Sequence, residues 1–373
     1  MAGIYIHIPF CRQACNYCNF YFSTSLKHKD KLISALIQEI KQRKETWKKY
    51  TFDTIYFGGG TPSLIPESDI ERILNELYKH FQINQISEIT LEANPDDLNN
   101  KKIKNLKTLG INRLSIGIQS FFDDDLILLN RSHNAQQAKS VIQTAQDEGI
   151  RNISIDLIYG IPGLTDKKWI NNIQQTLNFQ IPHVSAYALT VEPKTALENF
   201  INTAKIPPLN DEQAARQFYI LQEKLNNNHF QHYEISNFGK KGFLSKHNNS
   251  YWKNKPYLGL GPAAHSYNLD KRRWNIANLH TYIKKIPENT YYETETLSNN
   301  DKYNELIMIG LRTSDGINLN DIRKLGVQYV NKLKIETKKF IQQEYVFLDK
   351  NKLKPNPKKW FLIEGVISDL FII

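Results

Sequence analysis

Residues 3–20 read GIYIHIPFCRQACNYCNF, and residues 58–62, one β/α unit later, read GGGTP. Gly3–Ile8 has the β-branched and aromatic density of a strand. It runs straight into Cys11, Cys15 and Cys18, a Cys-x3-Cys-x2-Cys triplet, and the chain has no other cysteine. An odd, tightly clustered set argues against a disulfide framework and for metal ligation. A [4Fe–4S] cluster takes four ligands, so three thiols leave one iron open to a small molecule. The spacing alone also accommodates a zinc ion completed by His7 or His28, or three ordinary buried thiols.

Outward from this stretch, strand-like runs alternate with helical ones. The strands are expected at Phe52–Phe57, Glu88–Glu92, Arg113–Ile118, Asn152–Ile158 and His183–Leu189. Helices are expected at about Asp30–Trp47, Pro66–Lys79, Lys101–Leu109, Ala135–Asp147 and Asp166–Leu177. Six β/α units with right-handed crossovers give an α/β fold, an open, partial (β/α)6 barrel whose functional residues follow the strand C-terminal ends. Beyond Pro193 the rhythm breaks. A helix over Asp211–Asn227 precedes an aromatic, Asn- and Gly-rich stretch, His229–Trp274, with little periodicity; helices are then expected at Asn300–Arg312 and Leu319–Gln343, and a hairpin at Tyr345–Lys354. This divides the chain into a core domain, residues 1–200, and a mixed, largely helical C-terminal accessory domain, residues 201–373.

At 373 residues with 40% hydrophobic and 23% charged content, the chain reads as an ordinary globular protein. No run approaches the ~18–20 apolar residues of a membrane span, and the N-terminal stretch lacks the pattern of a signal peptide. A reduced, cytoplasmic compartment is expected. The net charge of +10 is spread over separate segments, Lys41–Lys49, Lys101–Lys104, Lys271–Arg273 and Lys352–Lys359. Without one basic stripe interleaved with aromatics, a nucleic-acid partner is not expected, whereas an anionic small ligand is compatible.

A glycine run after a strand lets backbone amides approach a ligand closely, and Thr61 adds a hydroxyl. Taken together, the cysteine triplet, Tyr-x-His-x-Pro-Phe before it and GGGTP after it resemble the radical S-adenosylmethionine (SAM) superfamily. That resemblance implies a [4Fe–4S] cluster on Cys11, Cys15 and Cys18, with SAM on the open iron. It further implies SAM contacts from Tyr5, Tyr17, Gly59, Gly60 and Thr61, from Glu92 to the amino group, and from Gln119. Arg131 would pair the SAM carboxylate, and Asp156 would accept hydrogen bonds from the ribose hydroxyls.

Within the superfamily the chain is similar to the coproporphyrinogen dehydrogenase-like branch over nearly its whole length. Two departures from the decarboxylating enzymes stand out: Phe20 occupies the place of their fourth cysteine, and no long extension precedes Cys11. Both favour the HemW-type haem chaperones. His247, Tyr251 and Trp252 match the His-Asn-x-x-Tyr-Trp motif associated there with haem binding, and His265 is a second candidate axial ligand. The resemblance implies haem as cargo and apoprotein acceptors, respiratory membrane proteins among them; a homodimer is compatible. The alternatives are oxygen-independent coproporphyrinogen III oxidation and, for the basic charge, a tRNA-modifying radical-SAM enzyme.

Overall fold

The computed structural model describes residues 2–373. Its backbone is a single twelve-stranded sheet flanked by helices, with a small three-stranded sheet near the C-terminus. The core units are β1 (Ala2–Ile8), α1 (Lys29–Trp47), β2 (Thr51–Gly59), α2 (Glu67–His80), β3 (Gln82–Ala93), α3 (Asn100–Thr108) and β4 (Arg113–Gln119). They continue through α4 (Asp123–Leu128), α5 (Ala135–Asp147), β5 (Asn152–Tyr159), α6 (Asp166–Asn178) and β6 (His183–Ala188). Strands β1 to β6 are parallel neighbours in chain order. Among the described residues no ladder joins β6 back to β1, so the series stays open.

The helices lie where apolar spacing and capping put them. α1 buries Leu32, Ile33, Leu36, Ile40 and Trp47, an i, i+3/i+4 face, against the sheet. α5 starts at a reciprocal capping box between Asn134 and Gln137, and α6 at a Thr165 cap. The strands read as near-continuous apolar runs because helices cover the sheet; β4 is buried along its entire length.

Residues past 200 do not stand clear of this sheet. After α7 (Ala196–Asn202) and α8 (Asp211–Asn227) come β7 (Gln231–Glu234), β8 (Asn237–Gly239), α9 (Lys246–Trp252), β9 (Tyr257–Leu260), β10 (His265–Tyr267), β11 (Lys271–Asn275), α10 (Leu279–Lys285) and β12 (Tyr292–Thr296). β8 adds antiparallel to β6, whereas β9 adds parallel to the free edge of β1 and carries β10 to β12 outward. The stretch without periodicity is therefore strand-rich, in pieces of three to five residues too short to show a period. The remainder is mostly helical: α11 (Asn299–Leu311), β13 (Ile317–Asn318), α12 (Leu319–Leu325), α13 (Val327–Gln342), β14 (Val346–Asp349), β15 (Lys352–Pro355) and α14 (Ile363–Asp369). The single helix expected over Leu319–Gln343 is two, because Gly326 adopts φ of 144° between α12 and α13. β3 starts six residues before the expected Glu88, since the polar Gln82–Ser87 segment hides it from pattern reading. No helix of the described residues is long and apolar enough to cross a membrane.

Candidate functional site: two adjoining cavities

The cysteine loop leaves β1 at Pro9 and is held by backbone contacts from three directions. Gly60 N donates to Ile8 O (2.8 Å) and Thr61 N to Phe10 O (2.6 Å), pinning the loop to the glycine run. Asn16 Nδ2 and Asn130 Nδ2 reach across to Leu128 O (2.7 Å) and Ala14 O (2.6 Å), and Leu197 N at the start of α7 donates to Asn16 O (2.8 Å). Glycine is required at residue 60: a Cβ there would stand 2.6 Å from Phe10 O.

Cys11, Cys15, Cys18, Tyr17, Gly59, Gly60, Thr61, Glu92, Arg131 and Asp156 all line one cavity of about 430 Å³. Ten of the expected residues thus converge, brought from the loop, from the ends of β2 and β3, from within β5 and from the turn after α4. Arg131 is the central cation. Its Nη1 donates to Cys15 Sγ (3.2 Å) and its Nη2 to Asn94 Oδ1 (2.5 Å) and Gly117 O (3.0 Å), while Nε has no partner. Burial pulls the guanidinium pKa down, but Tyr17 and Cys15 facing it outweigh that and raise it. Thr61 Oγ1 donates to Cys11 Sγ at 3.7 Å. Burial pushes the Cys11 thiol up to about 11 despite this bond, with the other two thiols adding to the rise, and burial likewise raises Cys18. Their deprotonation therefore needs a counter-charge in the cavity.

The same cavity is lined by two buried acids. Glu92 accepts from Tyr56 Oη (2.8 Å) and Gly59 N (3.2 Å), and burial raises its pKa in spite of these bonds. Asp156 accepts from Ser115 Oγ (3.4 Å); burial, then the nearby Glu92, lift it to about 7. The cavity thus presents three thiols, two guanidiniums and two buried carboxylates whose charge burial disfavours. An amino-acid group with a ribose and a positive centre fits this polarity.

Residues the sequence reading passed over complete this wall. Arg113, at the start of β4, is buried, contacts His183 Nδ1 (3.3 Å) and leaves Nε unpartnered. Ser115, Ser154 and Ser185 on β4, β5 and β6 line the cavity from alternate strand positions. Their small polar side chains in otherwise apolar strands were the available signal. Gln119 is not on the wall; it accepts from Tyr187 Oη (3.2 Å), which is, and it takes φ of 65°.

A second cavity, about 650 Å³, adjoins the first, with Gly59, Glu92 and Phe20 bordering both. Tyr5, Tyr251 and Trp252 lie here with Tyr21, Tyr257, Tyr267, His265 and Met308, giving a largely aromatic chamber. Lys255, Arg272 and Arg312 bring guanidinium and ammonium groups, Arg272 paired with Glu305 on the same wall and Arg312 with Glu364, and the Trp252 Nε1 and Arg272 Nε groups are buried without partners. His247 is on neither wall. It is 1% exposed, its Nδ1 meets Thr54 Oγ1 (2.8 Å), its Nε2 meets Tyr251 Oη (2.8 Å), and it stacks on Tyr56 at 4.9 Å. Burial and then Arg113 lower it to about 3. His265 is the imidazole that faces the chamber, stacked on Trp274. His7 is no free ligand either, with Tyr5 Oη and Tyr21 O each 3.2 Å from a ring nitrogen. No three His, Cys, Asp or Glu side chains among the described residues meet at a single-ion position.

Comparison with known proteins follows this geometry. Residues 5–175 match the radical SAM superfamily and residues 297–362 the HemN C-terminal domain. The chain is 36% identical to heme chaperone HemW of Bacillus subtilis over 85% of each protein, and 32% identical to heme chaperone HemW of Lactococcus lactis over 95% of this chain and 91% of that one. The chain belongs to the HemW family. A solved structure, coproporphyrinogen III oxidase (HemN) from Escherichia coli, superposes with a TM-score of 0.84 over 99% of this chain and 89% of its own, at 22% identity, which establishes the shared fold. The HemW family sits within the radical SAM superfamily, whose members in general imply a [4Fe–4S] cluster and SAM. The donor set fits that group: three soft thiols with no fourth, on a cavity whose unpartnered Arg131 and Arg113 Nε groups suit a carboxylate.

Proposed function

We propose that the protein is a haem chaperone that holds a [4Fe–4S] cluster and SAM in the cysteine cavity and haem in the aromatic chamber beside it. The observation that carries this reading is the shared border of Gly59, Glu92 and Phe20 between the two cavities. Cys11, Cys15 and Cys18 would hold the cluster. Arg131 and Arg113 would meet the SAM carboxylate, Glu92 its amino group and Asp156 its ribose. When bound, the cluster and SAM supply one-electron chemistry and a positive centre; the chain's own part is to orient them and offset charge. The chamber offers flat aromatic faces to a porphyrin and Lys255, Arg272 and Arg312 to its propionates. Phe20, 71% exposed at the border, leaves a hydrophobic edge where an acceptor apoprotein, expected among respiratory membrane proteins, would meet the cargo. A cytoplasmic location and a homodimer are compatible with this reading.

An axial imidazole is available from His265 as the chamber stands, or from His247 once Tyr251 swings aside. Haem titration followed by absorption tests this. His265→Ala is expected to shift the Soret band and weaken haem binding about tenfold or more. His247→Ala would release Tyr251 and reduce affinity less, by loosening the wall. Reversal of that order would assign the ligand to His247, and haem binding unaltered in both variants would remove the chamber from the account. The shared fold with coproporphyrinogen III oxidase favours a second reading, propionate decarboxylation. Reconstituted protein with reductant, SAM and coproporphyrinogen III is expected to give no protoporphyrinogen; robust turnover would replace the chaperone reading.

A further inference from the structure

Two basic segments that lie far apart in the sequence, Lys41–Lys49 and Lys271–Arg273, meet in the fold. Side chains alternate along β11. Arg272 lines the aromatic chamber, while Lys271 and Arg273 border a separate cavity of about 190 Å³ together with Arg43, Thr46 and Lys49 from the end of α1. Ser266 and Thr294 contribute hydroxyls, and no carboxylate lines this cavity.

Its cations, Arg43 buried and Arg273 half-buried, are under-compensated. Arg43 is 5% exposed; its Nη2 reaches Ser266 Oγ at 3.3 Å, but Nη1 has no hydrogen-bond partner. The one nearby acid, Glu39, is 3.7 Å from Nη1, and its oxygens already accept from Gly261 N (2.8 Å), Asn275 Nδ2 (2.8 Å) and Tyr282 Oη (2.5 Å). Arg273 lies 3.3 Å from the centre of the Tyr292 ring, and its Nε and Nη2 also lack partners. Burial and the neighbouring Arg273 lower Arg43 to about 10, so the two guanidiniums repel one another across this space. Buried donors and charges left in this way are costly unless a counter-charge joins them.

We propose that this cavity is a binding site for a phosphoryl group, held between Arg43 and Arg273 with Lys271 and Lys49 at its mouth. Two forked guanidiniums and the Thr294 hydroxyl offer more donors than a two-oxygen carboxylate takes, and they match the three oxygens and near-double charge of a phosphate monoester; the Thr46 and Ser266 hydroxyls already donate to Arg43 O and Gly259 O. The site is on the opposite face of β11 from the chamber, and Tyr267 borders both.

Thermal unfolding of the full chain with inorganic phosphate, at ionic strength held constant with chloride, tests the site. Wild-type protein is expected to show saturable stabilisation. Lys271→Gln, an exposed change that leaves the fold intact, and Arg273→Gln are expected to weaken it at least tenfold. A parallel arm measures co-sedimentation with phosphatidic acid vesicles against phosphatidylcholine vesicles. Stabilisation by free phosphate points to a soluble phosphate ligand. Retention on phosphatidic acid alone, lost in the same two variants, points to a lipid headgroup. Absence of both effects, or either effect undiminished in Lys271→Gln, would overturn the proposal.

Discussion

Asp156→Asn is expected to stabilise the ligand-free protein at pH 8 while reducing SAM affinity roughly ten- to a hundredfold. The two effects have one cause. Asp156 titrates near 7 because burial and the adjacent Glu92 disfavour its charge, against the opposing pull of Arg113 and Arg131. A carboxyl group whose folded pKa is raised from 3.8 stabilises the fold fully below the lower value and loses that contribution as pH rises through the higher one. At pH 8 wild-type protein therefore buries an under-compensated charge that asparagine removes, a gain of roughly 2 kcal/mol or several degrees in melting temperature. At pH 4 the two proteins should melt alike. SAM binding has the opposite sign: its hydroxyls need the charged acceptor, and a hydrogen bond to a charged group contributes about 1.5–3 kcal/mol. Wild-type affinity should fall as pH drops from 8 to 6, where Asp156 takes up its proton. The variant should lose the Asp156 part of this dependence. Calorimetry across that range checks both signs; an identical pH profile in the variant would remove Asp156 from the ligand site.

Arg131→Met is expected to cost about 3–5 kcal/mol and most of the bound iron. The guanidinium satisfies Asn94 Oδ1 and the Gly117 carbonyl while donating to Cys15 Sγ, and methionine can do none of this. Without the cation, Cys11 and Cys18, which burial already raises, lose a nearby positive charge that lowers them. Arg131→Lys keeps the charge without the fork and should fall between the two. Iron, sulfide and melting temperature measured together would contradict this account if Arg131→Met matched wild type in all three.

How far the sequence carried this reading follows from distance along the chain. The thiol triplet and Gly58–Thr61 were legible because their chemistry is local: eight residues make the triplet, and one tight turn makes the cradle. Glu92, Arg131 and Asp156 were legible through the motifs that resemble the radical SAM superfamily, two of them within strands β3 and β5 and Arg131 just past α4. Arg113 was not, because it begins its strand and only its long side chain brings it to the wall. The edge strands β9 to β12 escaped because three to five residues cannot display a period, although they supply much of the aromatic chamber. The motif around His247 was readable, but not that Thr54, 193 positions away, and Tyr251 occupy both its ring nitrogens. Likewise Arg43 and Arg273 looked like separate solvated charges until the sheet placed them on one cavity.

The most direct test of the account is electron paramagnetic resonance of anaerobically reconstituted, reduced protein with and without SAM, alongside iron and sulfide analysis. About four irons and four sulfides per chain are expected, with a signal that changes on adding SAM and is lost when Cys11, Cys15 and Cys18 are all serine. Iron and sulfide retained by that triple variant, or a wild-type signal indifferent to SAM, would contradict it.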